Sequence, residues 1–358
     1  MKKLIGFELK KIFSRRLTQG AFALVLLLSA ILGFSTYQNK YAFDGAGREG
    51  TGKEAVSIDK AVAERYAGTL TDEKVQRMLA DLVPKTGENE INALYIYHNA
   101  TQSAVSTRFA DRYGGWNGST VADVFGEGEV TIGYVDGWLS TSRNLVKILI
   151  LFSLFLMVMT APVFCGEYGG VDQILLSTRY GRTKCAGAKA VACVLAALLT
   201  TVAVLALNLA MAFTFYGTEG LDCSILFAQL TYIEGGIPFN ITCGTMLAYQ
   251  ALLAFTGALG VVGITLVFSA ACKSPMVALA ASALLYGLPV LLSVSEVSPL
   301  FRLVVLFPTY HAQFISLMSV EQMGGGALYA LWAIPAGVAL LAGGSVLARG
   351  IFAKYQVS

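Results

Sequence analysis

The sequence predicts an all-α polytopic membrane protein, and three observations lead there. Hydrophobic residues make up 55% of the 358-residue chain and charged residues only 14%, where a soluble domain carries nearer a quarter charged. Mean hydropathy is +0.63. The apolar residues gather into runs of roughly 18 or more, long enough to cross a hydrocarbon core of about 30 Å. In such a core the backbone must satisfy its own polar groups, so these runs read as helices.

Six transmembrane helices are expected, at 20–37, 145–165, 187–215, 245–270, 275–294 and 326–347. Pro162, Pro289 and Pro335 fall inside them, which neighbouring helices tolerate by re-satisfying the freed backbone groups. The first run has a basic start and no small-x-small cleavage pattern close behind it. It therefore reads as an uncleaved signal anchor.

Orientation follows from Lys and Arg in short flanks. Lys2, Lys3, Lys10, Lys11, Arg15 and Arg16 precede the first span, Arg179, Arg182 and Lys184 follow the second, Lys273 follows the fourth, and Arg349 and Lys354 follow the sixth. The 216–244 loop contains neither Lys nor Arg. Both termini are therefore expected in the cytoplasm of a bacterial cell, with 216–244 outside. The net charge of +3 matters less than this distribution.

Residues 1–19 form a cytoplasmic amphipathic helix. Ile5, Leu9, Ile12 and Phe13 share one face, and Glu8, Lys11, Arg15 and Arg16 stand among the charged residues of the rest. Such a helix suits an anionic leaflet; the same residues also read as a plain positive-inside flank. The segment 38–144 is a polar, acidic, mainly helical insertion outside the membrane. Two short helices are expected within 57–82, with Thr71 as an N-cap, and irregular structure or short strands over 111–136. Its core looks thin, so it is expected to lean on the spans or on another copy. Residues 298–325 are too polar for a span and too apolar for a free loop. A re-entrant helix–break–helix around Pro308 is expected there, between spans five and six, and 223–233 is a similar partial segment. The remainder, 145–358, carries spans two to six with a cytoplasmic loop at 166–186.

Few motifs carry chemistry. Residues 47–53, GREGTGK, match GxxxxGK, but Glu54 stands where a phosphate-binding loop needs Ser or Thr; a flexible loop is expected. The cysteines at 165, 185, 193, 223, 243 and 272 form no CxxC, and His98 and His311 are isolated. No metal site, no catalytic residue and no nucleic-acid partner is expected. Cys223 and Cys243 share the external loop, where a disulfide is chemically allowed. Asn208 and Gln250 are polar residues within spans; they read as interhelical hydrogen-bonding groups or as contacts along a transport path. The spans carry almost no ionisable residue and no mid-membrane carboxylate. A transporter of this kind has to draw its energy from a partner.

The loop 167–184, EYGGVDQILLSTRYGRTK, has the chemistry of a docking lever. Ile174, Leu175 and Leu176 make an apolar ridge on a short helix, Gly181 ends it, and Arg182 and Lys184 follow as cationic ties. Glu167 is placed to pair with Arg179, Arg182 or a basic residue of the N-terminal helix. The same stretch also reads as a plain positive-inside loop.

The run Phe164, Glu167, Gly170, then Leu175, Leu176, Ser177 and Thr178, then Gly181, Arg182 and Lys184 resembles the first cytoplasmic loop of permeases of the ABC-type-2 exporter family. FELKKIFSRR, residues 7–16, is similar to their N-terminal helix. The resemblance implies six spans, an interfacial helix and re-entrant helices. It makes 166–186 a coupling loop seated on an ATP-binding cassette subunit, with two such ATPases, a second identical or homologous permease subunit, and membrane lipid as partners. No cofactor would sit in this chain; ATP and Mg would be held by the ATPase. The implied cargo is amphipathic or lipophilic: an antimicrobial peptide, a drug or a lipid-linked molecule. The long first external segment departs from the family pattern. The alternative is a membrane-anchored sensor or assembly protein working through that segment.

Overall fold

The computed structural model describes residues 1–168, 184–227, 240–292, 299–312 and 329–354. The helices are α1 (Lys2–Ser14) and α2 (Arg16–Gln38), then the strands β1 (Tyr41–Phe43) and β2 (Glu49–Thr51), followed by α3 (Lys53–Arg65), β3 (Gly68–Thr69), α4 (Asp72–Leu82), α5 (Ala100–Phe109), α6 (Val121–Phe125) and β4 (Thr131–Ile132). Then come α7 (Asp136–Thr160), α8 (Ala186–Tyr216), α9 (Cys243–Ala271), α10 (Pro275–Leu291), α11 (Pro299–Val304), α12 (Pro308–Ala312) and α13 (Ala333–Lys354). Five of these segments, Arg16–Gln38, Asp136–Val163, Ala186–Tyr216, Cys243–Ala271 and Ala333–Lys354, are long and apolar enough to cross a membrane. The protein is therefore a polytopic, mostly helical membrane-spanning protein.

Three spans differ from their sequence reading. The second, expected at 145–165, is a helix over Asp136–Thr160, so it starts inside the segment read as external. The helix expected at 275–294 ends at Leu291 and has 17 residues, where the five candidate spans have 22 to 31. The last helix begins at Ala333, not at 326. Pro335 explains the shift: it lies in the first turn, where its missing N–H would have no intrahelical acceptor. The helices Pro299–Val304 and Pro308–Ala312 fall within the predicted helix–break–helix; 313–325 lie outside the described residues.

The chain divides into two compact units. The first comprises Met1–Ser29, Leu145–Leu207 and Gln250–Ser358. Within it α9 and α13 cross at glycines. A side chain at Gly344 would place its Cβ 2.2 Å from the Gly263 carbonyl oxygen, and one at Gly263 would sit 2.4 Å from that of Leu340. Two turns away, a Cβ at Gly337 would lie 2.3 Å from the Thr256 carbonyl oxygen. Small residues let membrane helices approach this closely, and dispersion contact replaces the hydrophobic drive that lipid cannot supply. Beside the crossing is an apolar cavity of about 590 Å³, bordered among others by Val267, Leu285, Phe307 and Leu340.

The second unit comprises Ala30–Asn144 and Asn208–Tyr249. Its helices start on the caps that the sequence supplies. Thr71 accepts from the Lys74 N–H for α4, Asn99 accepts from Gln102 for α5, and Thr120 with Asp123 closes a capping box on α6. The strands pair as two short antiparallel ribbons, β1 with β2 and β3 with β4. The GREGTGK stretch is not a loop: it supplies β2 and the start of α3, hinged at Gly52 with φ +57°. The strand belongs to a hairpin and not to a βαβ unit, and the Glu54 side chain lies over Gly50.

The expectation of a thin core is corrected. Ile58, Val62, Val75, Met78, Phe109 and Ile132 are buried together, joined by Phe227 from far along the chain. That last contribution is invisible to any local reading of 38–144. Gly220, at φ +80°, brings the backbone so close to Tyr134 that a Cβ would lie 1.8 Å from its carbonyl oxygen.

A buried charge cluster also sits in this unit. The Lys40 ammonium is 2.6 Å from Asp59 Oδ2 and is paired with Asp136 Oδ2; the Ala100 N–H donates to Asp59 Oδ1 at 3.0 Å. Burial pushes the Asp59 carboxyl above its usual range, against the pull of Lys40. Burial opposes the Lys40 charge too, but Asp136 and Asp59 carry its pKa well upward. A carboxyl whose folded-state pKa is raised binds more protons folded than unfolded between the two values, so its contribution to stability falls as pH rises through that window. Lys40→Met removes the pull and raises Asp59 further. The variant is expected to lose about 3–5 kcal/mol at neutral pH, the usual result of stranding a buried charge. It should regain part of that as pH falls from about 7 toward 5, where carboxyls begin to reprotonate. Thermal melts at the two pH values check this. A variant whose melting point moves with pH no more than the native chain's does would refute it.

Candidate functional site

The strongest site in the first unit is built where the helix Asp136–Thr160 gives out. Pro162 cannot continue the N–H ladder, and the chain tightens into 3₁₀ turns at Ala161–Val163 and Cys165–Glu167. Three successive carbonyls lie in this stretch, and each accepts a hydrogen bond from a side chain of a different element. Ser269 of α9 donates its hydroxyl to the Ala161 carbonyl at 2.6 Å. Arg15, at the α1–α2 junction, donates to the Pro162 carbonyl at 3.3 Å. Lys189 of α8 donates to the Val163 carbonyl at 3.1 Å. The Phe164 N–H in turn donates to Ser269 Oγ at 2.9 Å, and the Tyr168 hydroxyl donates to the Ala270 carbonyl at 2.7 Å. A buried helix end requires such donors, because an unmet carbonyl there has no water to turn to.

Lys189 is fully buried, at 0% exposure. Its ammonium has three donors, and all three are used: on the Val163 carbonyl, on Glu167 Oε1 at 2.6 Å and on Glu8 Oε2 at 3.2 Å. Glu167 Oε1 also accepts from Lys11. Glu8 and Glu167 are buried, at 5% and 6% exposure. Two carboxylates and two ammonium groups thus compensate one another, with Glu8, Glu167 and Lys189 buried and the Lys11 side chain 34% exposed. Glu167 Oε2 is buried with no hydrogen-bond partner among the described residues. Arg15 adds a further cation, and burial lowers its pKa against the opposing pull of Glu167 and Glu8.

Helix α1 is positioned by this network. Glu8, Lys11, Ile12 and Arg15 are spaced i, i+3, i+4 and i+7, the spacing of one helical face. Ile12 is 1% exposed. Ile5, Leu9 and Phe13 are partly buried, and Arg16, the first residue of α2, is exposed. The face turned to the protein is therefore centred on Glu8 and Ile12, and it carries the charges that pair with α8 and with the end of α7.

Of the residues predicted to couple the chain to a partner, Glu167 and Lys184 lie among the described residues. Gly170, Ile174, Leu175, Leu176, Ser177, Gly181 and Arg182 lie outside them, as does Arg179. Among the partners foreseen for Glu167, a basic residue of the N-terminal helix is the one seen, and it is Lys11. Lys184 is exposed, two residues before α8. Asn208 and Gln250 are both buried. Cys223 and Cys243 are buried and are not bonded to each other in this structure. Among the described residues no group of three or more His, Cys, Asp or Glu is placed to hold a metal ion.

No protein-family model, no curated protein and no solved structure matches this chain. The site must therefore be read from its own chemistry.

Sequence reasoning missed Lys189. It stands at the start of a strongly apolar run and was absorbed into a span read as almost free of charge. The signal was there: an ammonium inside such a run needs a carboxylate, and Glu8 and Glu167 flank the neighbouring apolar segments. Ser269 gave no signal, since a serine in an apolar helix usually bonds its own backbone.

Proposed function

We propose that this protein is the transmembrane permease subunit of an ATP-driven ABC exporter in the bacterial cytoplasmic membrane, with both termini in the cytoplasm. The observation that supports this reading most is the ion network at the end of α7. Glu167 ties α1 and α8 together through Lys11 and Lys189, just before the segment 169–183. A push on that segment passes at once to the N-terminal helix and to the start of the third span. A coupling loop has to do this in a permease whose ATP is held by a separate subunit. Paired buried charges resist being pulled apart one at a time, since each separation strands an uncompensated charge. The network therefore favours movement of α1, α8 and the α7 terminus as one body.

In this reading ATP and Mg are held by two copies of a cassette ATPase below the membrane, and a second permease subunit completes the path. The cargo is amphipathic or lipophilic, a peptide, drug or lipid-linked molecule. The predominantly apolar lining of the cavity beside the α9–α13 crossing favours that class over ions or sugars.

The test is co-expression with a cassette ATPase encoded beside this chain, tagged co-purification, and ATPase assay in lipid nanodiscs. A stable complex is expected, and Glu167→Ala should lower coupled ATPase and transport several-fold while membrane insertion stays normal. Unchanged coupling in that variant would remove the role given to Glu167. Failure to recover any ATPase complex would favour a second reading, a membrane-anchored sensor or assembly protein. The independent core of the second unit is the observation that supports it.

A further inference from the structure

The second unit contains a pair of cysteines whose backbone is already in register for a covalent bond. Ser224 and Thr242 form an isolated antiparallel bridge. On one side of it the Ile225 N–H donates to the Ile241 carbonyl at 3.0 Å, and on the other the Cys243 N–H donates to the Cys223 carbonyl at 2.9 Å. Cys223 and Cys243 are therefore directly opposed, one step along the ladder from the bridge. Side chains of directly opposed residues leave the ribbon on the same face. A fully hydrogen-bonded antiparallel pair has Cα atoms about 5.5 Å apart, inside the range of about 4.4–6.8 Å that a disulfide spans; here one of the two bonds of such a pair is made, and the Cys223 N–H donates instead to the Gly220 carbonyl at 3.2 Å. Both cysteines are buried, at 6% and 0% exposure.

We propose that Cys223 and Cys243 are joined as a cystine in the mature protein. The inference rests on the orientation given above, which places 216–244 outside the cytoplasm, where disulfides persist. The reaction is a thiol–disulfide exchange with a disulfide donor of that compartment. One thiolate attacks the donor, the second displaces the donor's remaining thiol, and the two cysteines lose two hydrogens and two electrons while the donor becomes a dithiol. Closing the bond asks for side-chain rotation and no change of register. Burial pushes the Cys223 thiol up to about 11, with Asp222 adding to the shift. The folded pair is therefore slow to react, and the bond forms while the loop is folding. Once closed it is shielded from reductant for the same reason. Cys243 is the first residue of α9, so the bond anchors the start of that helix to the chain that follows α8.

The experiment counts thiols on the full chain. Cells are quenched in acid to trap the redox state. The protein is then denatured in detergent and reacted with a polyethylene-glycol maleimide, with and without prior reductant. The chain has six cysteines. Six adducts are expected after reduction and four without it. Cys223→Ser and Cys243→Ser should each carry five adducts in both conditions, because each frees the other's partner. Six adducts on the unreduced native chain would overturn the proposal. So would a reductant-sensitive dimer, which would assign the bond to two chains. Orientation is read separately, from a single reporter cysteine in the 216–244 loop of a chain otherwise free of cysteine, labelled in intact cells by a membrane-impermeant maleimide. An external loop with six free thiols sinks the cystine and leaves the orientation standing.

Discussion

Lys189→Met is expected to destabilise the protein by about 3–5 kcal/mol, the cost of breaking a buried ion pair by removing one partner. The methionine fills similar volume, so the loss is electrostatic and not a cavity effect. Glu8 loses its only ion-pair partner among the described residues, Glu167 keeps only Lys11, and the Val163 carbonyl loses its donor. Thermal denaturation in detergent or nanodiscs measures the change. The triple variant Glu8→Gln, Glu167→Gln, Lys189→Met separates stability from coupling. Neutralising all three groups removes the fully buried charges and leaves Lys11, 34% exposed, to solvent; replacement of buried ion pairs by neutral groups is often close to neutral in stability. The triple variant should therefore regain most of the lost stability while coupled ATPase and transport stay low. A single variant as stable as the native chain would show that the network does not hold α1 in place. A triple variant with normal coupling would show that the network holds the helices but transmits nothing.

The second large effect is expected at the α9–α13 crossing. Gly344→Leu has to place a Cβ where the Gly263 backbone already is, 2.2 Å from its carbonyl oxygen. No rotamer relieves a clash at Cβ, so the two helices must move apart over their whole contact. Overpacking that side chains can absorb costs about 1–3 kcal/mol; a backbone clash should reach or exceed the top of that range and yield little folded protein. The neighbouring residue is the control. A Cβ at Gly343 meets nothing within 4 Å, so Gly343→Leu should express and melt like the native chain. The pair differs by one position and by no change in hydrophobicity or helix propensity. Equal yields from the two variants by size-exclusion chromatography would remove the crossing as the organising contact of this unit.

Much of the architecture was legible in the sequence because it is governed by local physics. Apolar runs that must bury their own backbone become helices wherever they occur, and five of those predicted are long enough to span. Thr71, as a side-chain cap, set the start of α4 from its own place in the chain. Pro335 could have corrected the last span in the same way, since a proline is tolerated in a first turn and costly in a helix interior. The hairpin at 41–51 was harder. Its strands are three residues long, too short for an alternating pattern to stand out.

The candidate site was legible only in part. Glu167 and the charged face of α1 were picked out because carboxylates and lysines are conspicuous beside apolar runs. Their pairing was not determined by the sequence. Glu167 had several basic residues within reach, and among the described residues the packing of α1 and α8 against the α7 terminus brings Lys11 and Lys189 to it. Lys189 is 22 residues from Glu167 and 181 from Glu8, and no local pattern joins them. The core of the second unit has the same character: Phe227 joins residues far earlier in the chain. By itself the sequence determined that this chain crosses the membrane as helices, because hydropathy and backbone satisfaction act within one segment. Only the tertiary structure decided which buried charges compensate one another and which carbonyls they cap. Those pairings depend on distances between segments, and the low dielectric of the interior makes each of them costly to leave unmade.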